Sequence, residues 1–287
     1  VETITLFTEN NSILDPADVQ ALASRLSTTE REVRLHGRFI HLSGAVFGDH
    51  FASRDTDWCR RCEKRTIAVN KTCATCQSAD ILAYNNVVEP FKIPGNWPVV
   101  MVIDPHPRKP DAIAWFAVAP TDAVYCIAEA RLEGTAVDVV KGVRKVEHGM
   151  GGQVVKRLGD PNILSSRQDK MQRGWTMQQA YADCGMPIQL AVDDVDLGIQ
   201  RVKDALLPDP HLCYPMLRFF STCPATNTAM NRWSWGEWGN KVAEKEPKEV
   251  VGEKYKDEVD VVRYCMNDRP TFDRLKNGPQ IYRRGTK

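Results

Sequence analysis

The most strongly patterned part of the chain begins at position 99. Val99-Val100-Met101-Val102-Ile103 is an unbroken apolar run that ends in Asp104-Pro105, the pattern of a strand buried on both faces. Residues 112–119 and 123–129 read as two further strands, with Thr121-Asp122 between them as a tight turn. Thr135, with Asp138 three residues on, predicts a helix start, and Val139, Val143, Val146 and Met150 then recur at i, i+4, i+7 and i+11. Residues 153–158 predict the next strand, which ends in Gly159-Asp160-Pro161. Thr176 and Gln179 form a capping-box pattern ahead of Met177, Ala180, Tyr181 and Cys184, and Gly185 stops that helix. A short strand at 188–192 precedes a helix with Val195, Ile199, Val202 and Leu206 on one face, ended by Pro208 and Pro210. Residues 217–220 read as a short strand, and a last helix carries Val259, Val262 and Met266.

Three strands followed by alternating helices and strands is an α/β pattern. It predicts an RNase H-like mixed sheet flanked by helices over about residues 85–270. Ahead of it, residues 1–57 form a separate segment. Asp15-Pro16 opens a helix there with Val19, Leu22, Ala23 and Leu26 on one side, and residues 37–47 read as strands about a glycine turn. Residues 85–98 read as a proline-rich connector. Residues 241–258 hold five lysines and six acids with little apolar content, and read as a solvated excursion. After Asp268 the tail has six basic residues and one acid; residues 271–287 are expected to be disordered or to dock on something acidic. Trp233, Trp235 and Trp238 are placed on a helix after Cys223, where packing against the sheet is the favoured role for so much apolar area.

Bulk composition adds limits. The chain has 287 residues, 43% of them hydrophobic and 26% charged, and a formal net charge of +1. No global basic field advertises nucleic acid, so any DNA contact must come from a local patch. No apolar run approaches the length of a membrane span, and no signal-peptide pattern opens the chain. An intracellular protein without membrane contact is expected, and the odd total of nine cysteines fits reduced thiols there.

Four of those cysteines form two Cys-x-x-Cys pairs, Cys59/Cys62 and Cys73/Cys76, ten residues apart. Two such knuckles close a tetrahedral four-thiolate site, so residues 58–84 are expected to be a small ribbon stapled by one structural Zn²⁺. Four free thiols, a catalytic zinc and a redox pair are the weaker alternatives. Four protein ligands leave no open position, and a redox pair is expected near a βαβ unit. Arg60, Arg61, Lys64 and Arg65 around the pairs fit phosphate contacts and a merely solvated face equally well.

The carboxylates suggest the chemistry. Asp104 and Asp160 each end an internal strand, and in an RNase H-like sheet those two strands are neighbours. Like charges placed side by side are costly unless a cation sits between them. On the last helix Asp257 and Asp260 are three residues apart and share a face, with Arg263 and Tyr264 extending a polar side. Asp257 could equally be that helix's N-cap. Glu129, at the end of the third strand, rivals Asp160 as second ligand. Acids converging from separate elements are what two-metal phosphodiester hydrolysis requires, and Mg²⁺ is held by a few carboxylates plus waters.

Together, the run 99–105, the Gly159-Asp160-Pro161 turn and Asp257-Glu258-Val259-Asp260-Val261-Val262-Arg263-Tyr264 resemble the nuclease domain of tailed-phage large terminases. Residues 14–47, with Glu30-Arg31 and Gly37-Arg38-Phe39, resemble the connector that follows the family's ATPase. The resemblance implies an endonuclease cutting double-stranded viral DNA during genome packaging in the host cytoplasm. It implies two Mg²⁺ or Mn²⁺ at Asp104, Asp160 and Asp260, with Glu129 matching a frequent acid of the third strand; Asp257 is a further auxiliary candidate that departs from the family pattern. Many members place His three residues before the last Asp, where this chain has Asp257. The ribbon is unusual for the family. No phosphate-binding G-x-x-x-x-G-K-[S/T] loop occurs and the first residue is Val1, so the ATPase is expected upstream. A portal and a small terminase subunit are the implied partners. Basic residues near the acids are candidate DNA contacts: Arg108, Lys109, Lys156, Arg157, Arg167, Lys170 and Arg173. A resolvase or integrase, and a non-catalytic DNA- or portal-binding module, are the alternatives.

Overall fold

The computed structural model describes residues 15, 44–53, 55–66, 68–69, 71–106, 109–164, 176–235 and 252–276. The chain divides into two compact units, Val1–Ala45 with Ser234–Val251 and Val46–Trp233 with Gly252–Lys287. The first falls almost wholly outside the described residues, as do the readings placed on 1–43 and 241–251 and, in the second unit, on 277–287. All that follows concerns the second.

The second unit begins its regular structure with a small ribbon. Strands β1 (Thr56–Cys59), β2 (Lys64–Thr66) and β5 (Ile81–Tyr84) form an antiparallel sheet in the order β2-β1-β5, and β3 (Ala68–Val69) pairs with β4 (Thr72–Cys73). The main sheet has seven strands: β6 (Val87–Val88), β7 (Pro98–Asp104), β8 (Asp111–Val118), β9 (Val124–Leu132), β10 (Gln153–Gly159), β11 (Gln189–Leu190) and β12 (Leu217–Phe220), in the order β11-β10-β7-β8-β9-β12-β6. β8 is antiparallel to β7 and β9, while β10 runs parallel to β7, β11 to β10, β12 to β9 and β6 to β12. The helices are α1 (Ala136–Gly149), α2 (Met177–Asp183), α3 (Val195–Leu206), α4 (Pro224–Arg232), α5 (Lys256–Asn267) and α6 (Phe272–Lys276). This is the RNase H-like mixed sheet that the pattern predicts.

Every residue of β7 and β8 is buried, so their continuous apolar runs follow from coverage of both faces. Thr135 caps α1 through a full capping box with Asp138. Thr176 accepts the Gln179 amide, which makes the first half of such a box. Gly185, at φ +77°, ends α2 in the left-handed region that favours glycine.

Three expectations are corrected. Val87–Val88, inside the proline-rich connector, is the edge strand of the sheet and pairs with β12. Trp233 caps the end of α4 and is fully buried, with its indole N–H donating to Gly252 O at 2.9 Å; α4 itself stops at Arg232. Trp233 and Trp235 therefore lie beyond the helix, and Trp238 is outside the described residues. Residues 256–258 belong to α5 and not to a loop.

Asn86 anchors the sheet's edge. It is fully buried, its side-chain amide donates to Leu206 O (2.9 Å) and Leu217 O (3.3 Å), and its oxygen accepts the Ala52 amide (2.7 Å). Asn86→Ala leaves these buried backbone groups unpaired. It is expected to cost about 3 kcal/mol, read as a shift in the urea unfolding midpoint with an unchanged m-value.

Candidate functional site

The parallel strands deliver their carboxyl ends to one end of the sheet. Gly159 lies opposite Ile103 in the β10–β7 register, and the Asp160 amide donates to Ile103 O at 3.1 Å. Asp160 thus follows directly beside Asp104. Gly159 is tightly packed: a Cβ there would lie 2.8 Å from Ile188 Cγ2 and 3.1 Å from Ile163 Cδ1, so those side chains would have to shift. Helix α5 packs on β7, β8 and β10 and between α3 and α4. It brings Asp257 within 4.8 Å of the Asp104 and His106 ligand atoms; Asp160 and Asp260 lie outside that group, though their charges act on Asp104. Asp104, Asp160, Asp257 and Asp260 are all buried, with between 4% and 8% of their surface exposed.

The four acids have different partners. Asp104 accepts no hydrogen bond from the described residues; His106 Nε2 lies 3.6 Å from its Oδ2. Burial, then the charges of Asp160, Asp260 and Asp257, push its carboxyl up to about 8, with Lys109 opposing. Asp160 accepts the Asn162 amide on Oδ1 (2.5 Å) and the Tyr264 hydroxyl on Oδ2. Burial and that hydrogen bond hold the Tyr264 phenol well above its ordinary range. Asp260 accepts Arg263 Nε and Nη2 on Oδ1 at 3.0 and 2.7 Å. Burial raises its carboxyl more than Arg263 lowers it.

Asp257 is not the helix N-cap; Tyr255, at φ +68°, holds that position. Asp257 lies within α5 and gathers cations. Lys109 Nζ is 2.8 and 2.7 Å from its two oxygens, Arg131 Nη1 donates at 3.0 Å and His106 Nε2 is 3.1 Å away. Burial pushes its carboxyl up, but the hydrogen bonds from Lys109 and Arg131 and the nearby His106 outweigh it and leave it below its ordinary value.

Sequence reasoning passed over His106, whose ring nitrogen lies with Asp104 and Asp257 oxygens in one group of metal-competent atoms within 4.8 Å of one another. The only local signal was its place two residues after a strand-end Asp. Arg263 and Tyr264 do not form an exposed polar side. Each is 1% exposed, packed against Asp260 and Asp160.

Glu129 is used elsewhere. Its oxygens accept the Ala225 and Thr226 amides at 2.8 Å and the Thr226 hydroxyl at 2.7 Å, so it serves the amino end of α4. Glu129→Ala is expected to cost about 1–2 kcal/mol of stability while leaving any stabilisation by Mn²⁺ unchanged, both read from melting curves.

The candidate DNA contacts also separate. Lys156 pairs with Asp268 at 2.6 Å and Arg157 with Glu147 at 2.7 Å, so both cations serve the fold. Lys109 is half-exposed beside Asp257. Arg108, Arg167, Lys170 and Arg173 lie outside the described residues.

The four ribbon cysteines converge, with all four sulfurs within 4.8 Å of one another. Cys59 and Cys76 Sγ are 3.6 Å apart, and Cys62 and Cys73 Sγ 3.9 Å. The Thr66 hydroxyl beside Cys73, together with backbone amides, draws that thiol down to about 6. Arg60 pairs with Asp80, and Arg65 donates to Gly48 O and Phe51 O, so two of the four basic residues around the cluster have structural partners. The ribbon enters β6 at its amino end, and β6 runs in the same direction as β7. The cysteine cluster therefore lies at the opposite end of the sheet from the aspartates.

Among solved structures, the large terminase of a thermophilic bacteriophage aligns with 91% of this chain and 53% of its own, at a TM-score of 0.53 and 14% identity. The chain shares its fold with part of a phage large terminase. It spans about half the length of that protein. The P22 large terminase nuclease domain aligns with 64% of this chain and 87% of its own, at a TM-score of 0.47 and 17% identity. The large terminase nuclease from thermophilic phage G20c with bound magnesium aligns with 63% of this chain and 91% of its own, at 0.40 and 8%. No family model and no curated protein matches the chain. No helix among the described residues is long and apolar enough to cross a membrane.

Proposed function

We propose that this chain is a terminase-type endonuclease that cuts double-stranded DNA with two divalent cations, Mg²⁺ or Mn²⁺, at Asp104, Asp160 and Asp260. One observation carries the reading. Asp104 is a carboxylate without a hydrogen-bond donor among the described residues, and burial together with three neighbouring acids pushes its carboxyl up to about 8. A core would not choose that arrangement, and a cation relieves it. The residues present therefore fit a divalent metal. Cations held there would activate a water and stabilise the leaving oxygen of a phosphodiester.

The protein's own part is to fix the acids. The Tyr264 hydroxyl and the Asn162 amide orient Asp160, and Arg263 orients Asp260. Asp257 ties His106, Lys109 and Arg131 to α5 and so holds His106 and Lys109, which follow Asp104 in the chain. The shared fold adds support for a terminase role, with double-stranded DNA, a portal and a small terminase subunit as partners in the host cytoplasm. At the other end of the sheet, the four-cysteine cluster is assigned one structural Zn²⁺, because four thiolates leave no open coordination position.

Supercoiled plasmid incubated with the chain and Mn²⁺ should be nicked and linearised, and EDTA should stop the reaction. Asp104→Ala should reduce the rate by a factor of at least about 10³ if it removes the cation's charge stabilisation. Full activity in that variant would overturn the proposal.

A further inference from the structure

Asp104, Asp160 and Asp260 differ in how many lone pairs remain free. Each carboxylate oxygen can accept two hydrogen bonds. Asp104 accepts none from the described residues, and Asp160 accepts one on each oxygen. Asp260 accepts two on Oδ1, both from Arg263, which saturate that oxygen; its Oδ2 accepts none from the described residues. The guanidinium itself has little room to move. Its Nη2 is 3.4 Å from Asp193 Oδ1 and its Nη1 donates to Asp194 O at 3.4 Å. Gly198 of α3 presses close, since a Cβ there would lie 3.3 Å from both Arg263 Cβ and Nη1.

We propose that Arg263 is a positioning residue that restricts Asp260 to a single ligand oxygen and so makes the site select small octahedral cations over Ca²⁺. The inference rests on the cation-site reading above. Ca²⁺ gathers about 6–8 oxygens and commonly takes both oxygens of a carboxylate, whereas Mg²⁺ keeps several waters and takes one or two carboxylates. A carboxylate with one oxygen saturated by a planar, preorganised fork denies Ca²⁺ its bidentate mode and so favours the second kind of ion over the first.

The test uses the full chain without DNA. Melting-temperature shifts across Mn²⁺ and Ca²⁺ titrations give an apparent Kd for each ion. Arg263→Lys keeps the charge but replaces the fork with one ammonium. It is expected to tighten Ca²⁺ and to lower the Ca²⁺-to-Mn²⁺ ratio of Kd values by a factor of about ten, the loss of one bidentate restriction. An unchanged ratio in the folded variant overturns the inference and leaves the cation site standing. Wild-type protein that shifts with neither ion defeats the cation site itself and this inference with it. If Arg263→Lys does not fold, Ca²⁺-soaked crystals of the wild type decide. Asp260 bound through Oδ2 alone, with Arg263 in place, supports the proposal; Asp260 bound through both oxygens overturns it.

Discussion

Asp104→Asn is expected to raise the melting temperature of the metal-free protein at neutral pH and to abolish its stabilisation by Mn²⁺. The reason is the carboxyl held at about 8, against an ordinary 3.8. In the unfolded chain this group ionises near pH 4, while in the folded, metal-free protein it keeps its proton to about pH 8. The folded state therefore binds more protons across that window. Stability is full below pH 4, falls as pH rises and has lost the whole contribution once pH passes about 8, a span of about 6 kcal/mol. A cation reverses the balance, because its charge favours the carboxylate. Mn²⁺ binding near pH 6.5 should then release about one proton, read by titration calorimetry in two buffers of different ionisation enthalpy. Asparagine mimics the protonated acid. It should flatten the pH dependence and release no proton. A variant that keeps both the wild-type pH slope and the Mn²⁺ shift would show that Asp104 is not the group responsible.

Loss of one ribbon cysteine should have the largest local effect on the fold. Cys59 is fully buried at the end of β1, and β1 is the central strand of the three-stranded ribbon sheet. Little else holds that segment: its apolar cluster is Ala52, Trp58 and Tyr84 with Leu82 and Leu207 beside it. A stretch so short cannot bury enough surface to fold on its own, and a four-thiolate zinc contributes on the order of 10 kcal/mol. Cys59→Ser is expected to reduce bound zinc from one per chain to almost none. Hydrogen exchange should then lose protection in β1, β2 and β5. The aspartates lie at the other end of the sheet, so the Mn²⁺-induced melting shift should persist. Full zinc content in Cys59→Ser, or protection unchanged by zinc removal, would contradict the assignment.

The strands that frame the site were readable because burial on both faces leaves an unmistakable apolar run. Asp104 and Asp160 stood out as charges ending such runs, and the parallel pairing of β7 and β10 placed them side by side as the strand order implies. The helical spacing put Asp257 and Asp260 on one face of α5, and only the family resemblance singled out Asp260. What stayed hidden depends on distant partners. Glu129 looked like a second ligand until the amino end of α4, 96 residues further on, met its oxygens. Asp257 read as an auxiliary acid or a cap, and the sequence could not show that His106, Lys109 and Arg131 converge on it from other elements. Arg263 and Tyr264 read only as an extension of the helix's polar side, and nothing in the sequence says that this side is buried. They are buried because each has an acid to satisfy it. Edge strand β6 was missed because two residues carry no periodicity, and only its pairing with β12 defines it.

Anomalous diffraction from Mn²⁺-soaked crystals decides whether the aspartate cluster binds divalent cations. Strong anomalous density is expected between Asp104, Asp160 and Asp260, with Asp257 still held by Lys109 and Arg131. Density confined to the cysteine cluster, with Asp104 still without a partner, would contradict cation binding by the aspartates.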